Sequence, residues 1–281
     1  MSAVAAGTLY VVSTPIGNMG DFSFRAVEIL KSVALILAED TRHTKGLLVR
    51  YEITTPMASY HEHNEAKMTP GIVSRISAGE SMALVSDAGT PLLSDPGERL
   101  VSACVEAGLP VVPVPGASAL LAALVASGMD SSRFTFFGFL TRSGSERRAA
   151  LDEITALTHT AVLYESPNRL AATLGELEGR GNGDRRAAVA REMTKQFEEV
   201  RRGTVGELRT YYEDNPPRGE IVVVLSGASV RVPDESVVRD RVRALRASGL
   251  SSRDAAATVA SELGVPKRVA YRMAQDPGEA E

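Results

Sequence analysis

Cysteines, signal-like segments and long apolar runs are scarce or absent in this 281-residue sequence. The one cysteine, Cys104, has no partner for an intramolecular disulfide, which is typical of a protein in a reducing compartment. No basic residue precedes Arg25, so the N-terminus does not match a signal peptide. No run of about 18 apolar residues suits a membrane span. The sequence therefore predicts a cytoplasmic protein outside the membrane.

Several catalytic motifs are also missing. There is no G-x-G-x-x-G after a strand, no P-loop and no G-x-S-x-G nucleophile turn. The glycine-rich segment 179–183 follows a predicted helix and is interpreted as a flexible loop. His61 and His63 form the one histidine cluster, and no second group of ligands completes a tetrahedral site. A hydrogen-bonding role or a surface turn is favoured for them, and no metal is predicted.

The first half of the chain alternates apolar strands with helical patterns. Hydrophobic residues make up 44% and charged residues 23%, which is enough apolar material for one large or two medium domains. Strands are predicted at 8–14, 33–38, 56–61, 82–86 and 111–114. Helices are predicted at 25–32, 67–78 and 96–107, the last capped by Asp95. This alternation predicts a mainly parallel sheet covered on both faces.

A Pro/Gly break at 113–118 separates this half from a second mixture of the same kind. Strands are predicted there at 134–139, 161–164, 187–190 and 221–225, and helices at 145–157, 168–177 and 205–212. After a linker at 227–236, two or three short helices follow. The predicted division is thus an N-terminal α/β domain (1–115), a second α/β domain (116–226), and a linker with a helical tail (227–281).

The tail carries an excess of positive charge, although the whole chain has a net charge of −4. Between Arg239 and Arg272 there are eight basic and three acidic residues, a net charge of +5. Residues 251–271 resemble a helix-turn-helix, with a serine cap at 251 or 252 and a stop at Gly264. Pro266 would begin a basic second helix suited to phosphates. The residues predicted to bind nucleic acid are Arg253, Lys267, Arg268 and Arg272. The alternative is a small bundle that packs on its own dimer.

Five polar turns follow predicted strands: 13–18, 38–42, 86–97, 113–118 and 164–169. In an open α/β sheet, ligands bind beyond the carboxyl ends of the strands. Glycine in such turns lets backbone groups approach a ligand closely, although any one turn needs Gly, Pro and Asp for geometry alone. The five together predict one binding crevice.

The runs LYVVSTPIGNMGD, LAEDTRHT, SYHEHNE, LVSDAGTPLLSDPG, VPVPGASALLAAL, YESPNRL, AREMTK and GEIVVVL resemble the ribosomal RNA small subunit methyltransferase I family. The resemblance covers about residues 7–225 and is weaker in the tail. It implies a tetrapyrrole-methylase-like fold with S-adenosylmethionine in the cleft between two α/β domains. It also implies 2′-O-methylation of a decoding-centre cytidine in 16S ribosomal RNA of the small subunit, by a homodimer.

The same resemblance implies which residues contact the cofactor. The turn after the fourth strand would line its methionine and ribose, Ser118 and Ala119 would close the site, and strand ends of the second domain would hold the adenine. The implied cofactor contacts are Pro15, Asp87, Ala88, Gly89, Thr90, Pro91, Ser118, Ala119, Tyr164, Glu165, Ser166, Arg191, Glu192, Gly219 and Glu220.

A ribose hydroxyl is a weak nucleophile, so a general base would assist the transfer. The candidates are Asp40, His43, Asp87 and Glu165, and Arg42 is placed to pair with an RNA phosphate. Asp40, Arg42 and Glu165 are taken as the catalytic set. The alternative is that no base exists and that Asp40 and Arg42 form a structural ion pair.

Two other functions stay open on the residues alone. One is a methyltransferase for a tetrapyrrole or another small molecule, for which a basic tail is unnecessary. The other is a non-enzymatic protein of ribosome assembly or nucleic-acid binding that keeps an inactive cleft. The intact glycine and acidic turns favour an enzyme.

Overall fold

The computed structural model describes residues 4–228 and 235–275. They belong to two compact units, 1–227 and 228–281. Most of the predicted linker 227–236 lies outside the described residues, and the predicted boundary at 115/116 stays a prediction. Within the described ranges, no helix is long and apolar enough to cross a bilayer.

The first sheet consists of short parallel strands, as predicted. Its order in space is β3-β2-β4-β1-β5, with β4 in the centre. Every residue of β4 is buried, which is typical of a parallel strand covered on both faces. The strands are β1 (Leu9–Val12), β2 (Leu35–Ala38), β3 (Met57–Ser59), β4 (Met82–Val85) and β5 (Val111–Val114).

Helices cover both faces of this sheet. They are α1 (Phe24–Ser32), α2 (Thr41–Arg50), α3 (Glu65–Ser77) and α4 (Glu98–Glu106). Alternate residues of β1 point to opposite faces, so Tyr10 joins the core under α1 and α2 while Leu9 joins the core under α3 and α4. The predicted Asp95 cap is wrong. Gly97 occupies the N-cap of α4, and the Asp95 side chain hydrogen-bonds Ser86 instead.

The second sheet is mixed, in the order β6-β7-β10-β8-β9. The pair β6 and β7 is parallel and the other pairs are antiparallel. Its strands are β6 (Phe134–Phe139), β7 (Thr160–Glu165), β8 (Arg186–Arg191), β9 (Glu199–Thr204) and β10 (Ile221–Leu225). The helix α5 (Ala119–Ser127) packs on one face, and α6 (Ser145–Ala156), α7 (Leu170–Leu177) and α8 (Val205–Asp214) pack on the other. The prediction of a fold with two α/β domains is confirmed.

The tail unit has its own apolar core, to which Val238, Val242, Val259 and Met273 contribute. Its helices are α9 (Glu235–Ala247), α10 (Ser252–Leu263) and α11 (Lys267–Gln275). The Ser251 side chain caps α10, and Gly264 ends that helix in the left-handed conformation with φ of +65°. Both predicted boundaries of the first helix of the helix-turn-helix are thus confirmed.

Candidate functional site

The turns that follow β1 and β4 are joined by an antiparallel bridge. The Thr14 N–H donates to the Gly89 carbonyl at 2.8 Å, and the Gly89 N–H donates to the Thr14 carbonyl at 3.1 Å. Gly89 has φ of +82°, which favours glycine at this close approach. The Thr90 hydroxyl accepts from Ser13 Oγ at 3.2 Å and donates to the Ala117 carbonyl at 3.3 Å. Three of the five predicted turns therefore meet.

A cavity of about 460 Å³ lies where these turns face the ends of β7 and β10, a volume within the usual range of ligand sites. The Asp40 N–H donates to Asp87 Oδ1 at 3.1 Å, which brings the turn after β2 to the same place. The structure brings together ten of the fifteen residues that the sequence implied for the cofactor. They are Asp87, Ala88, Gly89, Thr90, Ala119, Tyr164, Glu165, Ser166, Gly219 and Glu220.

The other five implied cofactor residues do not line this cavity. Pro15 lines an adjoining cavity, and Pro91 is buried. Ser118 accepts a hydrogen bond from the first turn of α5. Arg191 pairs with a β9 glutamate at 3.1 Å, and Glu192 accepts from a lysine of its own turn at 2.9 Å. Ser118, Arg191 and Glu192 therefore bond to neighbouring parts of the chain and not to the cavity.

Sequence reasoning missed ten lining residues. Glu39, Ser94 and Asp95 fall inside turns that it had identified, so their polar character was a usable signal. The apolar residues come partly from strands, where a core residue and a cavity residue look alike in sequence. The missed residues are Ile16, Glu39, Leu93, Ser94, Asp95, Phe139, Pro167, Met193, Ile221 and Val222.

Five residues with carboxyl groups line this cavity: Glu39, Asp87, Asp95, Glu165 and Glu220. Glu165 and Glu220 form ion pairs with Arg169 and Lys195, whereas the other three have no ion pair among the described residues. Burial, with the negative charge of Glu39 added to it, raises the pKa of Asp95 to about 6. Burial and the neighbouring Asp87 charge also raise the pKa of Glu39 above its usual value. The cavity is therefore electrostatically suited to a cationic ligand.

Glu165 is buried and has donors on both carboxylate oxygens. Its Oε1 accepts from the Ser166 N–H at 2.7 Å and from Arg169 Nε at 2.6 Å. Its Oε2 accepts from the Thr173 hydroxyl at 2.6 Å. Because both oxygens are engaged, Glu165 is suited to holding the turn after β7 in position and not to accepting a proton from a substrate.

Asp40 and Arg42 pair with each other at the start of α2. Asp40 Oδ1 accepts from the Arg42 N–H at 2.8 Å and Nε at 3.1 Å, and Oδ2 accepts from Nη2 at 2.7 Å. These hydrogen bonds hold the pKa of Asp40 well below its usual range. The geometry matches the structural ion pair that the sequence left open as the alternative.

A second cavity of about 420 Å³ adjoins the first. The two share a wall formed by Ile16, Asp87, Ala88 and Glu220. His43, another candidate base, lines the second cavity and not the first. A pair of adjoining cavities is the arrangement that a transfer between two bound molecules requires.

The turn after β8 reaches across to the turn after β1. Lys195 pairs with Glu192 at 2.9 Å and Glu220 at 3.1 Å, and its methylene chain lies against Gly17. A Cβ at Gly17 would lie 2.3 Å from Lys195 Cγ, so a larger residue there would displace the lysine. The Asn18 N–H donates to Thr194 Oγ1 at 3.1 Å. These contacts connect the two sheets beside the second cavity.

Non-glycine residues in left-handed conformations lie near both cavities. Leu92 and Ser94 have φ of +75° and +70° in the turn before α4, and Glu192 and Thr194 have φ of +52° and +67° in the turn after β8. Such conformations cost free energy and tend to be retained where a site needs a particular backbone shape. Their position supports a functional role for this region.

Comparison with known proteins identifies the family. The model of the tetrapyrrole (corrin/porphyrin) methylases matches residues 8–209. A ribosomal RNA small subunit methyltransferase I from Synechocystis sp. is 46% identical over 95% of this chain and 97% of its own length. Proteins with the same name from Pseudomonas aeruginosa and Bacillus subtilis are 43% and 42% identical, over 96% and 94% of this chain and 98% and 93% of their own lengths.

Solved structures support the fold. A uroporphyrin-III C-methyl transferase from Thermus thermophilus, complexed with S-adenyl homocysteine, superposes with a TM-score of 0.56 and 17% identity, over 78% of this chain and 96% of that one. A diphthine synthase has a TM-score of 0.60 and 13% identity, over 78% and 89%. The predicted tetrapyrrole-methylase fold is therefore confirmed. The chain belongs to the tetrapyrrole methylases and, among them, to the ribosomal RNA small subunit methyltransferase I family.

Proposed function

We propose that this chain methylates the small-subunit ribosomal RNA with S-adenosylmethionine, and that the acceptor is the 2′-hydroxyl of a decoding-centre cytidine in 16S ribosomal RNA. Nearly full-length identity of 41–46% to proteins named as small-subunit methyltransferases carries the proposal. Two adjoining cavities with a common wall support it, because the reaction needs two molecules side by side. A ribosomal substrate also agrees with a cytoplasmic location.

The 460 Å³ cavity fits the cofactor in shape and in charge. Its apolar lining, which includes Phe139 and Met193, suits a flat ring system. The three carboxyl groups of its lining that have no ion pair, Glu39, Asp87 and Asp95, suit a ligand that carries a sulfonium and an ammonium group. S-adenosylmethionine supplies a methyl carbon on a positively charged sulfur, which a nucleophilic oxygen displaces in line. The residues proposed to hold it are the ten implied contacts that line the cavity.

The 420 Å³ cavity is proposed to take the target nucleotide. His43 lines it and offers a donor to a phosphate or a base, and Lys195, which also lines it, is held by Glu192 and Glu220. Asp87 lies on the wall common to both cavities. Glu220 lies on the same wall but is paired with Lys195 at 3.1 Å. Among the carboxyl groups, Asp87 is therefore the best placed to accept the proton of a ribose hydroxyl, and Glu39 and Asp95 lie beside it in the first cavity. Asp40 and Glu165 hold the turns in place.

A homodimer is proposed from the outer surface of α5. Leu121 and Val125 lie one turn apart and are 51% and 75% exposed, although the helix is apolar on all sides. A helix of that kind is normally covered on all sides. A second copy of this chain is the proposed cover, in accordance with the family resemblance.

The test uses 30S particles from cells that lack this enzyme, with S-adenosylmethionine labelled in the methyl group. We expect incorporation into 16S ribosomal RNA and, after digestion, recovery of 2′-O-methylcytidine. The Asp87→Asn variant should weaken cofactor binding in calorimetry, since it removes one charge of the lining, and should lose most of the transfer even when the cofactor is saturating, whereas the exposed control Asp152→Asn should retain both. Methylation of the base would overturn the finer assignment. Transfer to a tetrapyrrole, with none to particles or free 16S ribosomal RNA, would overturn the whole proposal.

A further inference from the structure

Three arginines of the tail share one face of α9. Arg239, Arg243 and Arg246 are spaced four and three residues apart, which places them in a row along the helix. All three line a cavity of about 690 Å³ in the tail unit, which also includes Ser252 and Gln275. From the first to the third, the row covers about 10 Å of helix. We call this row the arginine face.

Within the described residues, the arginine face has little negative charge near it. Arg239 has no ion pair there, and Arg246 donates to the Leu250 carbonyl at 3.0 Å. Arg243 has one carboxylate neighbour, Asp240, at 3.8 Å, and both side chains are more than half exposed. An ion pair that is so exposed to water contributes little free energy, so the positive charge of the row stays largely uncompensated.

Two other arginines of the tail, Arg241 and Arg272, hydrogen-bond to carboxylates at short range. Arg241, on a different face of α9, makes two hydrogen bonds with Glu262 at 2.7 and 2.9 Å. Arg272 donates to Glu235 at 3.0 Å. The sequence had assigned Arg272 to RNA binding; its ion pair with Glu235 is as exposed as the Arg243 pair, with side chains 68% and 65% exposed, but Arg272 does not line the cavity. Arg253, Lys267 and Arg268 also have no ion pair among the described residues, but none of them lines the cavity. The grouping of three arginines along one cavity therefore selects the arginine face as the surface for an external anion.

We infer that the arginine face binds phosphate groups of the RNA backbone. A guanidinium fork matches two phosphate oxygens, and like charges in a row are stabilised when an anion lies between them. None of the four residues that the sequence assigned to RNA lines this cavity. The inference rests on the proposed function for the identity of the RNA, and it moves the main contact from α11 to α9.

The test is the salt dependence of binding to 30S particles that lack the modification. The triple variant Arg239→Gln, Arg243→Gln, Arg246→Gln should bind more than about tenfold more weakly at 0.1 M salt. Its slope of log affinity against log salt should fall by about 2, because each contact to single-stranded RNA contributes about 0.7. Circular dichroism and calorimetry with S-adenosylmethionine should be unchanged.

Two matched variants complete the design. Arg241→Gln removes an arginine that already has a partner, so its slope should equal that of the wild type. The triple replacement by lysine retains the charge without the fork, and it should keep most of the slope while losing affinity. Should the glutamine variant prove misfolded, the lysine variant still distinguishes fork recognition from general charge.

The inference would be overturned if the salt slope is unchanged in the triple glutamine variant but lower in the double variant Lys267→Gln, Arg268→Gln. That result would return the contact to α11. The proposed function fails in a different way. If the wild type binds particles through the arginine face but transfers no methyl group, the inference stands and the enzymatic proposal falls. If the wild type binds no RNA at all, both fall.

Discussion

Replacing Asp95 with asparagine should make the protein more stable at neutral pH while impairing its use of the cofactor. In the folded chain the Asp95 pKa is raised from 3.8 to about 6. Ionised Asp95 therefore costs free energy in the folded state. A raised carboxyl pKa means that this cost is nearly absent below about pH 4, grows between about pH 4 and 6, and is complete above about pH 7.

The magnitude follows from the displacement of the pKa. A shift of about 2 units corresponds to at most about 3 kcal/mol. The group is only partly buried, so solvent screening reduces this to about 1–2 kcal/mol. The Asp95→Asn variant avoids the cost, because asparagine is neutral at every pH and still accepts a hydrogen bond from Ser86.

Urea unfolding from pH 4.5 to pH 8 measures the effect. We expect a gain in the free energy of unfolding that is about a third of its plateau at pH 4.5 and constant above about pH 7. Asp152→Asn is the control, since that side chain is 70% exposed and should give no such pH dependence. A gain that does not vary with pH, or a loss of stability at pH 8, would refute the electrostatic account of Asp95.

Three further outcomes are expected. S-adenosylmethionine should bind about tenfold more weakly at pH 5 than at pH 7, because about one in ten Asp95 groups is ionised at pH 5, and calorimetry on Asp95→Asn should lose this difference. Ala119→Leu should fill part of the cofactor cavity and abolish cofactor binding with little loss of fold, whereas Ala66→Leu, at an exposed position of α3, should bind normally. Val125→Glu should convert the proposed dimer to a monomer in light scattering, and a wild-type monomer at micromolar concentration would contradict the dimer itself.

Much of the fold could be predicted because apolar strands bounded by turns can be recognised in the sequence. Strand ranges at 111–114, 134–139 and 221–225 agree with the structure. The missed elements lack that signal. The helix α5 is apolar on all sides and has no periodicity to detect, and β9 is an edge strand rich in Arg and Glu. The helix α2 begins inside a predicted turn, where Asp40 is its cap.

Only half of the residues that line the site could be predicted from the sequence, for a related reason. Glycine and aspartate at strand ends predict a ligand crevice, and the turns that carry them do meet in the structure. These residue types do not indicate which carboxyl group lacks a hydrogen-bonding partner. Asp40 and Glu165 looked available in sequence, and only three-dimensional contacts reveal that Arg42 and Thr173 occupy them.

The single thiol makes the protein easy to label at one chosen position. Cys104 lies on the buried face of α4, and burial raises its pKa, so it is a poor nucleophile and a poor target for oxidants. A maleimide dye should therefore ignore the native chain and react with one cysteine introduced on α9. The distance between such a dye and a second reporter on the ribosomal particle would follow the tail during each round of binding, without removing any natural residue from the core.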